Sequence, residues 1–261
     1  MGTDGVSAPI GTPRVVPRVR WGVLAYVAYL VVFLGVWIST GIQYDHIADD
    51  AGTLTRWYVA PLAAGTVTIA VIITIFRWWR PVLFDAKRLL RWPAVLPAVL
   101  LAVVAVVAVA TSARSDVTPL MWLLLVAGSV LVGFNEEIVT RGVLVVALRS
   151  RFGELGVWLL SSALFAALHL PNGFFGVGPG AVVQALFAFG FGSAAYLLRR
   201  HTGSLLWAML LHGLWDFATF SSTSALVGLQ PFIGALAVVT AAVVLTRGPA
   251  NTRDANRKAI R

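Results

Sequence analysis

Uncharged, mostly apolar runs alternate along this chain with short charged or Pro/Gly-rich breaks. Eight such runs stand out, at 21–42, 57–76, 93–113, 119–148, 155–170, 181–198, 204–220 and 231–246. Against the roughly 20 residues needed to cross a bilayer's hydrocarbon core, each reads as a spanning helix, the fifth and eighth being short. The expected fold is therefore an all-α polytopic transmembrane helical bundle of about eight spans. The run 171–180, dense in Gly and Pro, breaks what would otherwise be one long apolar stretch. It reads either as a plain outer hairpin or as a loop partly re-entrant over a cavity. Residues 1–20 are polar, and the apolar run after them is too long for a signal h-region and lacks a small-residue cleavage site, so it is expected to be retained as the first span.

Composition agrees with that pattern. The chain is 59% hydrophobic and 12% charged, with a mean hydropathy of +0.85, as polytopic membrane proteins are. There is no cysteine, which excludes disulfides, thiolate zinc sites, iron–sulfur clusters and cysteine nucleophiles. Lys87 and Lys258 are the only lysines among the basic residues; with abundant Ala and Val, this arginine bias hints at a GC-rich bacterial coding sequence.

A net charge of +9 would suggest nucleic acid in a soluble protein, but here the positive-inside rule accounts for it and no nucleic-acid partner is expected. With both termini cytoplasmic and the spans alternating, the inner segments collect Arg14, Arg18, Arg20, Arg77, Arg80, Lys87, Arg88, Arg91, Arg149, Arg151, Arg199, Arg200 and the basic residues from Arg247 onward. Only Arg56 and Arg114 fall outside, and Arg141 within the membrane. Segment 77–92 mixes bases with Trp78, Trp79, Leu83 and Phe84, as an amphipathic helix in the headgroup region would. The outer loop bearing Asp45, His46, Asp49 and Asp50 reads as a solvated acidic turn. The expected organisation is 1–118 as an N-terminal segment with three helices, 119–246 as the intramembrane core, and 247–261 as a basic, disordered cytoplasmic tail.

Several polar residues interrupt the apolar runs. Glu136, Glu137 and Arg141 lie inside the fourth, His169 in the fifth, and His212 and Asp216 in the seventh. Ionisable groups at bilayer depth are costly, roughly 3 kcal/mol each on the insertion scale, and they face cavities or bundle interiors where they mark function. Glu137 and Arg141 are four apart, within ion-pair reach on one helix side, while Glu136 points about 100° away. One acid is thus paired and the other free. His212 and Asp216 share a face, as do Phe165 and His169. At a rise of ~1.5 Å per residue, Glu136, His169 and Asp216 lie ~20–22 Å and His212 ~13 Å from the cytoplasmic boundary, so three helices contribute to one polar layer with an aromatic wall.

A carboxylate kept from bulk water beside a second carboxylate is suited to take a proton from a water molecule. Glu136 is that candidate base. Arg141 would keep Glu137 ionised, His169 would hold the same water or shuttle its proton, and His212 with Asp216 would serve a developing oxyanion, Asp216 either protonated or orienting His212. This is hydrolytic machinery inside a membrane.

These residues carry a resemblance. Glu136-Glu137-Ile-Val-Thr-Arg141 matches EExxxR, Phe165-Ala-Ala-Leu-His169 matches FxxxH, His212-Gly-Leu-Trp-Asp216 matches HxxxN/D, and the stretch 202–207 is similar to TGSLW. In order and spacing they resemble the CPBP intramembrane proteases, the family of CAAX prenyl endopeptidases and of bacteriocin-processing or self-immunity (Abi-type) proteins, over about residues 119–220. The resemblance implies an eight-helix bundle that cleaves peptide bonds of membrane-associated peptides or proteins. Glu136 and His169 would activate water, and His212 and Asp216 would form the oxyanion hole, with Asp216 standing where Asn is common. No cofactor is firmly implied; there is no HExxH, although zinc held by Glu136, His169 and His212 is chemically admissible.

Other chemistries fit the residues less well. A serine protease of the membrane needs a nucleophile at depth, and Ser204 lies at a cytoplasmic edge; an aspartyl type needs two membrane aspartates, and only Asp216 qualifies. The non-enzyme alternatives are a proton-coupled transporter, since buried Glu and His also build proton relays, and a silent immunity or scaffolding protein of the same fold.

Overall fold

The computed structural model describes residues 13–247. Its long helices are α1 (Val19–Thr40), α2 (Ala51–Phe76), α3 (Trp92–Ser112), α4 (Pro119–Leu148), α5 (Glu154–Phe174), α6 (Gly180–Thr202), α7 (Leu206–Ser221) and α8 (Ala225–Arg247). Among the described residues there is no strand, only the isolated bridges Phe84–Ser204 and Ala113–Ser222. Seven of the helices are long and apolar enough to cross a membrane; α7, with 16 residues, is the exception. The protein is an integral, multi-pass membrane protein. The apolar side chains it leaves uncovered, such as Val31, Ile38, Val67, Leu123 and Leu186, suit a hydrocarbon surrounding, where helix packing and not burial from water organises the interior. The tail 248–261, and the first 12 residues of the N-terminal segment, lie outside the described residues.

The short α7 packs along α4 and α3. Its approach to α4 depends on two residues that lack a side chain. A Cβ on Gly133 would meet the carbonyl of Met209, and one on Gly213 would lie 2.7 Å from the carbonyl oxygen of Ser129. Backbones this close are the small-residue packing expected where lipid, not water, is the competing solvent. α4 itself is not regular: after Glu137 it widens into a π-helical stretch, Ile138–Leu144, and every residue from Glu137 to Leu148 is buried.

Segment 77–92 does not form the expected amphipathic surface helix. Between α2 and α3 only Trp79–Leu83 is helical. Trp78 is wholly buried, its indole N–H donating to the Val15 carbonyl at 2.6 Å. The chain then tucks under the bundle and inserts Asp85, whose side chain is 1% exposed, among Arg149 (2.7 Å), Arg199 (3.0 Å) and Arg200 (2.5 Å). Glu154 completes the cluster, pairing with Arg200 at 3.0 Å and accepting from the Tyr196 hydroxyl. The reason is electrostatic: three guanidinium groups gathered at the ends of α4 and α6 need counter-charge, and a segment able to supply it is drawn inward. Burial alone would push the Asp85 carboxyl up, but Arg199, Arg149 and Arg200 outweigh it and hold Asp85 well below the usual carboxylate range.

At the other end of the bundle, the loop 41–50 is the solvated turn that the sequence suggests. His46 bonds Asp49 at 2.7 Å in the open, and Asp50 caps α2 by accepting from the Thr53 amide at 2.8 Å. The Gly/Pro-rich stretch 171–180 folds as a compact turn over the same end, with Asn172 buried and the Phe175 carbonyl accepting from the Tyr44 amide at 2.7 Å.

Candidate active site

Among α1, α2, α4, α5, α6 and α7 lies a cavity of about 550 Å³. Glu136, His169, His212 and Asp216 all line it, together with Phe165. The structure thus brings together in one space the four side chains that the sequence assigns to one layer.

The two adjacent acids of α4 part as their helical phase requires. Glu137 is fully buried and lies 3.2 Å from Arg141, also fully buried. Arg141 is further held by donating to the Thr140 hydroxyl at 2.7 Å and by sitting 3.8 Å over the Phe165 ring. That last contact gives Phe165 a second task besides forming a wall, because a guanidinium over an aromatic face is attracted by the ring's quadrupole. Gly192 of α6 makes room for it; a Cβ there would collide with the guanidinium. Glu136 instead turns to the cavity, its side chain 17% exposed, and its Oε2 has no protein hydrogen-bond partner.

His212 is where the geometry adds to the sequence reading. Its Nδ1 lies 2.9 Å from Glu137 Oε1, so that nitrogen carries a proton and donates it. Nε2 then faces the cavity, 3.9 Å from Glu136 Oε2 and 3.8 Å from Asp216 Oδ1. The orienting partner of His212 is therefore Glu137, not Asp216, which stands beyond hydrogen-bond distance. Glu137 serves Arg141 and His212 at once, a double role that spacing along one helix cannot reveal. His169 is set in the complementary way: its Nδ1 is 3.1 Å from the Phe165 carbonyl, which can only accept, so Nδ1 carries the proton and Nε2 is left as an acceptor. The Phe165 ring separates the two imidazoles, 5.2 Å from His169 and 5.5 Å from His212, and Phe191 packs on His212 at 4.9 Å.

The zinc ligand set Glu136, His169 and His212 does not fit this arrangement. Among the described residues no three His, Asp or Glu side chains converge as metal ligands would.

Sequence reasoning left the first three helices without a role, and two of them line one side of the cavity. Tyr29, Phe33 and Trp37 of α1, Tyr44 of the following loop, and Trp57, Tyr58 and Leu62 of α2 form its far wall. Tyr29 and Phe33 stack at 5.8 Å, Phe33 meets Trp37 at 4.6 Å, and Trp37 meets Tyr44 at 5.9 Å. The signal was present in the sequence, since Tyr29, Phe33 and Trp37 recur every four residues and so share a helix face. Asn135, next to the acids, is buried and ties α4 to α2 by donating to Thr66 (2.7 Å) and the Leu62 carbonyl (3.1 Å).

Residues 118–218 match the family described as type II CAAX prenyl endopeptidase Rce1-like. Over this segment the chain is similar to the CAAX protease family. The Rce1-like match runs from the cap of α4 into α7 just past Asp216 and so contains Glu136, His169, His212 and Asp216. It supports a protease embedded in the membrane, acting on membrane proteins. No curated protein matches the chain.

Proposed function

We propose that the chain is an intramembrane endopeptidase in which Glu136 and His169 activate a water molecule for attack on a peptide carbonyl. The observation that carries this reading is the division of labour between adjacent acids. Glu137 is sealed away from the cavity with its Oε1 held by Arg141 and His212, whereas Glu136 lines the cavity and presents an unpartnered oxygen beside His212.

In the proposed reaction Glu136 takes a proton from water while the acceptor Nε2 of His169 holds the same molecule in line. The water oxygen bonds to the carbonyl carbon, and the carbonyl oxygen becomes an oxyanion. His212, fixed through Nδ1 by Glu137, donates from Nε2 in its imidazolium form to that oxyanion, with Asp216 one helical turn away completing the polar wall. Collapse breaks the C–N bond, and the proton held by Glu136 passes to the leaving amine. The chemistry needs no group beyond these side chains and water, so strong chelation is expected to leave turnover unchanged; loss on chelation with rescue by zinc would refute it.

The deciding experiment compares membrane and secreted peptides from cells making the wild-type protein with those making Glu136→Gln. A cleavage product present only with the wild type is expected, and it would name the substrate. No difference at equal expression would turn the reading toward a silent immunity or scaffolding protein.

A further inference from the structure

A second polar group lies in the same cavity, away from the reacting layer. Asn172 donates from its side-chain amide to Gln184 Oε1 at 2.9 Å, and Gln184 donates in turn to the Tyr44 hydroxyl at 2.9 Å. The three come from the loop after α1, the turn ending α5 and the first turns of α6, and all three line the cavity. This relay leaves the Tyr44 O–H proton, one amide proton on each of Asn172 and Gln184, and the Asn172 side-chain carbonyl to be used by something else. Neutral donors and acceptors in one place match the main chain of a peptide, which offers an N–H and a C=O at every residue.

The spacing is informative. Phe191 of α6 packs on His212 at the reacting layer, and Gln184 lies seven residues before it on the same helix. At ~1.5 Å per residue this separates the two polar groups by about 10 Å, the length of about three residues of extended chain at ~3.3 Å each. The lining also includes Trp37, Trp57, Tyr58, Trp215 and Phe220, with the carboxyls of Asp216 and Glu136. Among the described residues no Lys or Arg lines the cavity. Such a passage accepts apolar and aromatic side chains, tolerates a cation against rings and carboxylates, and opposes an anion.

We infer that Tyr44, Asn172 and Gln184 bind the main chain of the substrate about three residues from the scissile bond, and that the residues lying between are neutral or basic and not acidic. This rests on the endopeptidase reading of the site and names its substrate class: an extended, uncharged or cationic peptide segment that reaches well beyond the bond to be cut.

The test measures binding, so that it stands apart from turnover. The full chain carrying Glu136→Gln, in detergent, is titrated with dinitrophenyl-capped, amidated peptides of alternating Leu and Ala, two to eight residues long, which quench Trp37, Trp57 and Trp215. Affinity is expected to rise with length and to step up about five-fold when the peptide first reaches the second polar group, the worth of roughly one hydrogen bond. Adding Gln184→Leu or Tyr44→Phe should abolish that step while leaving the short peptides unaffected, which also shows that the variants are folded. Replacing one Leu by Asp should weaken binding about ten-fold relative to Asn, and Lys should not. A smooth length dependence untouched by Gln184→Leu, or equal affinity for the Asp and Asn peptides, would overturn the inference. Absence of cleavage by the wild type alongside stepped binding would instead overturn the protease reading and leave the subsite standing.

Discussion

At the scale of single residues, Glu137 is the side chain on which the site turns. Its Oε1 is shared by Arg141 at 3.2 Å and His212 at 2.9 Å, so a substitution there touches both. Glu137→Gln keeps the shape and an acceptor oxygen for His212 but removes the charge. The expected result is a folded protein with a lower kcat, little change in KM and an altered pH profile, because a neutral amide supports the His212 imidazolium less well. Glu137→Ala leaves a buried guanidinium unpaired and should cost about 3–5 kcal/mol of stability, read as a large fall in Tm in detergent. A Glu137→Ala protein as stable and active as the wild type would remove both roles. The pairing with Arg141 was legible from the i,i+4 spacing, and so was the freedom of Glu136. The bond to His212 was not, because nothing in either helix alone specifies which residue of α4 meets α7.

At the scale of elements, the glycines decide how closely the site is assembled. Gly213 precedes none of the chemistry itself, yet it sits beside His212 and against the carbonyl of Ser129. Gly213→Ala should force α7 away from α4, costing about 1–3 kcal/mol by overpacking. Because His212 rides on the displaced backbone, activity should fall further than stability; measured kcat/KM and Tm falling in proportion would argue against this. Gly192→Ala is the matching change on α6, pressing on Arg141. Helix positions were readable from uncharged run lengths, with bounds close to those observed, but the interhelical contacts were not. The segment 77–92 shows why: its bases and aromatics do suit a membrane surface, yet a single acid, Asp85, finds three arginines from other elements and takes the chain inside with it.

For the whole molecule, that acid links the N-terminal helices to the Rce1-like segment. Asp85 follows α2, Arg149 closes α4, Glu154 opens α5, and Arg199 and Arg200 end α6. Asp85→Asn should therefore destabilise by about 3–5 kcal/mol, the usual cost of breaking a buried pair. The pH dependence has a definite sign. Since the carboxyl is held below its ordinary value in the folded protein, its stabilisation is complete above about pH 4 and is lost progressively as the medium is acidified further. Thermal unfolding should show Tm falling below about pH 4 in the wild type and a flatter acid limb in Asp85→Asn; parallel acid limbs would exclude Asp85 as the source. Arg149, Arg199 and Arg200, counted from the sequence as markers of orientation, are also structural, a second use that a charge count along the chain cannot separate from the first.

The widened stretch of α4, Ile138–Leu144, stands between two fixed points: Glu136, which faces the cavity, and Arg149 in its ion cluster. In a regular helix, losing one residue between two such points turns one of them by about 100° relative to the other. A π-helical turn already holds a surplus residue. A deletion within Ile138–Leu144 can be absorbed by reverting to regular helix, leaving both ends facing as before, whereas the same deletion elsewhere in α4 would swing Glu136 out of register. Natural variation in the length of this helix is therefore expected to collect in those seven positions.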